Sequence, residues 1–179
     1  NNYLLKFFTL LIMSELKINC FIDDQKNTLR FSVCDIEYGP FYYPLFKRKI
    51  KVLIQAENHT VFKESLLQIE EEICQNYAYF LLSKKFYSEK KLRDKLASRW
   101  FSKESMDKTL TNLLHYGYLD DEKLIQSRSK TYLQKGYGKA QILYKIGAEF
   151  GKLDQNKCQI LQESLEQHFD LKPLVDKSY

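Results

Sequence analysis

Glycine, proline and tryptophan are scarce in this sequence. Among its 179 residues there are six glycines, three prolines and one tryptophan, which excludes a collagen-like, low-complexity or loop-dominated chain. Long apolar runs are also missing, so we expect no membrane-spanning helix. Apolar residues make up 44% of the chain and charged residues 28%, a balance that predicts one or two packed cores.

Clusters of cysteine and histidine are absent as well. The three histidines do not group with the four cysteines, which are too far apart for a zinc knuckle: Cys20, Cys34, Cys74 and Cys158. We therefore expect no metal. A disulfide framework is not expected in a chain with a sizeable core. We predict that the cysteines are reduced, buried side chains of a cytoplasmic protein.

Signatures of catalysis are missing too, because there is no glycine-rich phosphate loop, nucleophile elbow or paired-histidine metal helix. His115 fits a capping or packing role better than that of a base. Asp120 and Asp121 fit helix N-caps and metal ligands about equally. Gly136 and Gly138 favour a tight turn over a phosphate cradle. We predict neither enzyme activity nor a cofactor.

Residues 1–14 are an N-terminal extension with more than one interpretation. The segment 3–13 is apolar like the centre of a signal peptide, but no small-residue cleavage site follows it. Either translation begins at Met13, or the segment is a native helix or strand.

Residues 15–62 are predicted to form a small β-rich module. Apolar residues alternate on both sides of the polar stretch 23–27, which predicts a hairpin whose second strand has an apolar face of Leu29, Phe31 and Val33.

The rest of this module has weaker strand patterns. Residues 38–40 break the alternation with glycine and proline, and Pro44 favours an edge strand or a loop over 41–46. Alternating apolar residues over 50–54 predict a further short strand.

A helical period begins at Phe62 and continues to Leu82. The acidic triplet 70–72 is predicted to lie on the solvated face of this helix, and a break is expected near Phe86. Further helices are predicted to begin at three N-caps and to end at one glycine: the caps are Ser88, Ser102 and Asp120–Asp121, and the stop is Gly117.

An internal repeat with a period of about fifty residues links these helices. The equivalent pairs are Tyr87 and Tyr137, Leu92 and Ile142, Leu96 and Ile146, Trp100 and Phe150, then Ser102 and Asp154, Met106 and Cys158, Leu113 and Leu165. Each unit has three short helices, which must pack together to bury their apolar faces.

The predicted fold class is therefore mainly α, with tandem three-helix, helix-turn-helix-like repeats after a small N-terminal β-rich module. The first repeat is predicted at 63–118. The second is predicted at 119–179 and includes a truncated third repeat, because Pro173 would break a further helix.

Positive charge is concentrated in the middle of the chain. Residues 83–145 contain 15 lysines and arginines against 7 acidic residues, whereas the flanks are neutral or acidic. This favours an anionic partner, either nucleic acid or an acidic protein groove, although a solvated helix surface explains it about equally well. The candidate binding residues are Lys84, Lys85, Lys91, Lys95, Arg99, Arg128, Lys130, Lys135, Lys139 and Lys145.

Three of these cations are predicted to form a stripe on one helix. Lys91, Lys95 and Arg99 follow each other at four-residue spacing, a pattern that contacts phosphates without reading sequence. Nearby aromatic residues fit core packing better than stacking on bases; they are Tyr79, Phe80, Tyr87, Trp100 and Tyr137.

The segment 75–150 resembles the RecX family, the bacterial regulators of RecA recombinase. Four motifs carry the resemblance: YSEKKLRDKL from Tyr87, FS at Phe101, GYLDD from Gly117 and KGYG from Lys135. The resemblance implies tandem three-helix repeats without catalytic activity. It also implies binding in the helical groove of a RecA–single-stranded DNA filament, which inhibits strand exchange and the SOS response in DNA repair.

The expected partners are thus the RecA filament and single-stranded DNA, contacted directly or through the filament by a monomer. Two alternatives stay open: a sequence-independent DNA-binding helical repeat protein, and a relative that folds but regulates nothing. Family members usually have three helical repeats, whereas the third is truncated here.

Overall fold

The computed structural model describes residues 16–169. Within this range there are three strands and eight helices. They are β1 (Ile18–Asp23), β2 (Thr28–Val33), β3 (Ile36–Tyr42), α1 (Tyr43–Phe46), α2 (Ile50–Leu53), α3 (His59–Leu82), α4 (Glu89–Ala97), α5 (Lys103–His115), α6 (Asp121–Gln134), α7 (Lys139–Phe150) and α8 (Gln155–Phe169). The predictions for residues 1–14 and for Pro173 lie outside the described residues.

The strands form an antiparallel sheet in the order β1-β2-β3. The predicted hairpin is confirmed, with Asp23 of β1 paired to Thr28 of β2 across the polar turn. The predicted inner face of β2 is fully buried. Phe31 on this face contacts Phe62 of α3, with the ring centroids 5.6 Å apart, so the sheet packs on α3.

Strand β3 continues through residues 38–40, where the sequence pattern wrongly predicts a break. It lies at the edge of the sheet, where a proline without an N–H is tolerated. The register shifts there, so that Gly39 and Pro40 lie opposite Arg30. A Cβ on Gly39 would lie 2.8 Å from the carbonyl oxygen of Leu29; the close approach of the two strands therefore requires glycine.

One further prediction in this module, the edge strand or loop over 41–46, holds only for residues 41–42, and another is wrong. Residues 41–46 divide between the end of β3 and helix α1, and the predicted strand at 50–54 is helix α2. The structure buries Leu53 and leaves Val52 and Ile54 exposed. A segment of one turn is too short for its apolar residues to distinguish a helical period from the alternation of a strand. The packing of the segment in the fold therefore decides that it is a helix.

The helix starts agree with their predicted N-caps. The side chains of Ser88, Ser102 and Asp120 each accept a hydrogen bond from the backbone N–H three residues later, at 2.9–3.3 Å. Gly117 follows α5 with a φ of 71°, as a helix stop requires. Helix α3 begins at His59, slightly earlier than predicted.

The buried apolar residues form two clusters that share no member. The first joins the sheet to α3, α4 and α5, and the second lies among α6, α7 and α8. Fully buried residues at equivalent repeat positions are Leu92 and Leu96 in the first cluster and Ile142 and Ile146 in the second. The predicted fold class is confirmed, while the repeat boundaries at 63–118 and 119–179 stay a prediction.

Two predicted repeat equivalences fail. Trp100 lies beyond α4 and is 41% exposed, whereas the next residue, Phe101, is buried in the first cluster. Cys158 is exposed rather than buried. Among the four cysteines only Cys74 is buried, so the prediction that all are buried is wrong. Burial raises the pKa of the Cys74 thiol to about 11.

The acidic triplet 70–72 is only partly the solvated face that the sequence predicts, because Glu72 is exposed whereas Glu70 is not. Glu70 is buried and accepts hydrogen bonds from the backbone N–H and the hydroxyl of Ser102, at 2.6 and 3.0 Å. Glu71 and Glu72 each form an ion pair with a lysine. Helix α3 is thereby tied to the start of α5.

Truncation of Leu96 tests the first core. We expect Leu96→Ala to lower the free energy of unfolding by about 2–5 kcal/mol, because it opens a cavity in a fully buried site. Leu114→Ala is the matched control, since Leu114 is 45% exposed and should change stability by less than about 0.5 kcal/mol. Urea denaturation followed by circular dichroism measures both. Equal losses would contradict the assigned core.

Candidate nucleic-acid interface

The ten candidate cations lie on helices α4, α6 and α7 and in the links beside them. They divide into three groups by what their charged ends contact. One group is paired with a buried carboxylate, a second lies over aromatic rings, and a third has no ion pair among residues 16–169. The groups differ in how free they are to bind an external anion.

Lys91 and Arg128 share one carboxylate. Lys91 Nζ lies 3.6 Å and Arg128 Nη2 lies 3.4 Å from Oε1 of Glu149, whose side chain is 7% exposed. The Nε of Arg128 is itself buried and has no hydrogen-bond partner within the described part of the chain. Glu149 therefore pairs from inside the protein with two of the predicted binding residues, and its single negative charge balances one of their two positive charges.

The same glutamate marks the contact between α4 and α7. Its backbone carbonyl accepts a buried hydrogen bond of 2.7 Å from the Ser88 hydroxyl. Lys90 Nζ donates to the neighbouring carbonyl of Ala148 at 3.4 Å. Ser88 thus caps α4 and also holds the end of α7. The sequence reveals the cap, but not the second bond, because its partner is 61 residues away.

A second buried carboxylate joins three helices. Asp121 accepts hydrogen bonds from the backbone N–H of Glu89 at 3.0 Å and from Lys157 Nζ at 3.2 Å. Burial opposes the charge of Lys157, but its hydrogen bond to Asp121 and the negative charge of Asp121 outweigh this and raise its pKa. Across residues 16–169 no three His, Cys, Asp or Glu side chains gather as metal ligands.

Arg99 is held by two aromatic residues. Its guanidinium carbon lies 4.2 Å from the ring centre of Tyr42, and its Nε donates to the hydroxyl of Tyr77 at 3.3 Å, which raises the pKa of Arg99. Arg99 lies beyond the end of α4. The predicted stripe is therefore not a row of equally free charges, since Lys91 is bound at one end and Arg99 at the other.

Three lysines also lie over aromatic rings. Lys84 Nζ is 5.4 Å from the ring centre of Phe80, Lys85 Nζ is 4.8 Å from that of Tyr87, and Lys145 Nζ is 5.0 Å from that of Tyr137. These contacts leave the ammonium groups without a carboxylate partner within the described range. Their charge stays available to an anion.

The side chains of the third group are exposed to solvent. It consists of exposed lysines that form no ion pair within residues 16–169: Lys95, Lys130, Lys135 and Lys139. Lys135 and Lys139 lie on either side of the turn between α6 and α7, so they are the two closest in the chain. The structure brings Lys91 and Arg128 together at Glu149, whereas no shared carboxylate within the described residues joins the other eight candidates.

Exposed aromatic residues are the main feature that sequence analysis misses. Phe86 and Tyr144 are each 79% exposed, and Tyr118 is 58% exposed. Of the five aromatic residues considered for stacking, only Phe80 and Trp100 are exposed. Phe86 and Tyr118 lie in links between helices, where the absence of an apolar period is the one signal that separates them from core residues.

The comparisons with known proteins bear on this surface. No protein-family model matches the chain. The regulatory protein RecX of Caldanaerobacter subterraneus is 31% identical over 85 residues, which are 48% of this chain and 43% of the relative. That of Haemophilus influenzae is 30% identical over 89 residues, 50% and 59% of the two chains. The regulatory protein RecX of Clostridium perfringens is 32% identical over 94 residues, and the match covers 47% of this chain and 44% of the relative.

The chain is similar to proteins of the RecX family. The resemblance that its motifs predict is thus confirmed, and the relatives are named as regulatory proteins. The match spans about half the length of these curated RecX relatives. A crystal structure of a regulatory protein RecX has a TM-score of 0.34 and 16% identity, covering 86% of this chain and 93% of that one.

In the described part of the chain, no helix has the length and apolar character that are needed to cross a bilayer.

Neutralising Glu149 tests the junction between α4 and α7. We expect Glu149→Gln to lower the free energy of unfolding by about 1–2 kcal/mol, less than for a fully buried ion pair because Lys91 and Arg128 are half-exposed. Asp94→Asn removes the same charge from an exposed position of α4 and should stay within about 0.5 kcal/mol. Urea denaturation measures the free energy of unfolding of both variants. Equal values would contradict a stabilising role of Glu149 between α4 and α7.

Proposed function

We propose that the chain is a non-enzymatic regulator that binds the RecA–single-stranded DNA filament and inhibits recombinase activity. The observation that carries the proposal is the similarity, over about half of the chain, to proteins named regulatory protein RecX. Inhibition of the SOS response and a cytoplasmic site of action are parts of the same proposal. The protein acts as a monomer in this scheme.

The distribution of charge supports a polymeric anionic partner. The exposed lysines without ion pairs lie on α4, on α6 and at the α6–α7 turn, so they reach phosphates over several helices rather than at one pocket. Lysines arranged in this way neutralise phosphates without reading base sequence. Affinity should therefore fall steeply as salt is raised.

The buried carboxylates support a binding role rather than catalysis. Glu149 and Asp121 are both taken up by hydrogen bonds and ion pairs between helices. They hold the two helical clusters together and present no free acid or base. The work of these residues is to fix the spacing of the outer lysines, which is what recognition of a regular polymer requires.

Charge reversal at the α6–α7 turn tests the proposal. We expect Lys135→Glu with Lys139→Glu to weaken inhibition of RecA-dependent ATP hydrolysis on single-stranded DNA by about tenfold or more, and to reduce the salt dependence of filament binding. These positions suit the test because they form no ion pair within the described residues, whereas Lys91→Glu would place a carboxylate beside Glu149. Stability should change little, as the sites are exposed.

The matched control reverses two exposed lysines outside the basic block, Lys51→Glu with Lys63→Glu. It changes the net charge by the same amount and should leave inhibition intact. If the wild-type protein fails to inhibit at stoichiometric ratios, the proposal is wrong. Salt-sensitive binding to naked DNA without any effect on RecA would favour the alternative, a sequence-independent DNA-binding repeat protein.

A further inference from the structure

An aromatic groove lies where the two helical clusters meet. It is lined by the link between α3 and α4 and by the link and first turns that lead into α6, and it has a volume of about 340 Å³. Its apolar walls are Phe86, Tyr87, Tyr118 and Leu124. We call this set the aromatic groove.

Two rings of the groove are exposed to solvent rather than buried in a core. Phe86 is 79% and Tyr118 is 58% exposed. Tyr118 is braced by Tyr79 of α3, with the ring centroids 5.3 Å apart and the planes near perpendicular. A phenylalanine this exposed gains little from folding, so the fold itself does not account for it.

The rim of the groove is cationic. Lys85 Nζ lies 4.8 Å from the centre of the ring of Tyr87, a lining residue, and Lys123 is also part of the lining. The acidic residue in the lining, Asp120, caps α6 through the N–H of Lys123 and pairs with Lys123 Nζ at 2.9 Å. Asp120 is thus occupied, while Lys85 forms no ion pair within the described residues.

We propose that the aromatic groove binds single-stranded DNA by stacking bases on Phe86 and Tyr118, with Lys85 beside the phosphates. Exposed rings beside the ammonium group of Lys85, which has no ion pair within the described residues, match the two parts of a nucleotide, since every base offers a π-face and every phosphate a negative charge. An aliphatic protein segment would use the rings but not the lysine. This inference rests on the proposed function and adds to it the surface that meets the strand.

The test compares two single strands of about 15 nucleotides, one of dT and one abasic, by fluorescence anisotropy with the full chain. We expect Phe86→Leu to weaken binding of the dT strand about fivefold or more and to leave binding of the abasic strand unchanged, because both carry the same phosphates. Phe86→Trp, which keeps a ring, should bind dT at least as well as the wild type.

Phe21→Leu is the matched control, because Phe21 is a 58% exposed phenylalanine on β1 and should leave both strands unaffected. No loss at Phe86→Leu, or an equal loss for the two strands, would overturn stacking. Loss of RecA inhibition with unchanged dT binding would also overturn it and assign the groove to a protein partner. A wild type that does not inhibit RecA, yet shows the predicted difference between strands, would refute the proposed function and leave this inference standing.

Discussion

The start of helix α4 is the point on which the rest of the architecture depends. Ser88 caps this helix and at the same time donates to the carbonyl of Glu149 at the end of α7. Asp121 accepts from the next backbone N–H, at Glu89, and binds Lys157 of α8. A helix terminus leaves several N–H groups without partners, and here Ser88 satisfies that of Lys91 while Asp121 of α6 satisfies that of Glu89. The need to satisfy one helix end thus sets the position of one cluster against the other.

This arrangement divides the basic side chains between internal and external roles. Glu149 draws Lys91 and Arg128 into the junction, and Tyr42 and Tyr77 hold Arg99 near the sheet. Lys135 and Lys139 at the α6–α7 turn remain exposed to solvent. A count of positive charges along the sequence therefore overstates the binding surface, because some cations stabilise the fold that presents the others.

Local features of the fold were predictable, and tertiary ones were not. Ser102 is recognised as an N-cap because a cap involves only its own next turn. The role of Glu70 is invisible in sequence, since its partner Ser102 is 32 residues away. Helix α2 is a single turn whose apolar residues fit two periods, and packing decides between them. For the site, the family motifs and basic residues were apparent, whereas the carboxylates that select among the cations were not.

The separation of the two cores has a consequence for how such a protein diversifies. The clusters share no apolar residue, and what connects them at α4 is a small set of directional polar bonds. Changes in those few groups would alter the angle between successive triplets while both interiors stay intact. The geometric rise and twist of a tandem array can thus change while each of the two interiors keeps its own packing.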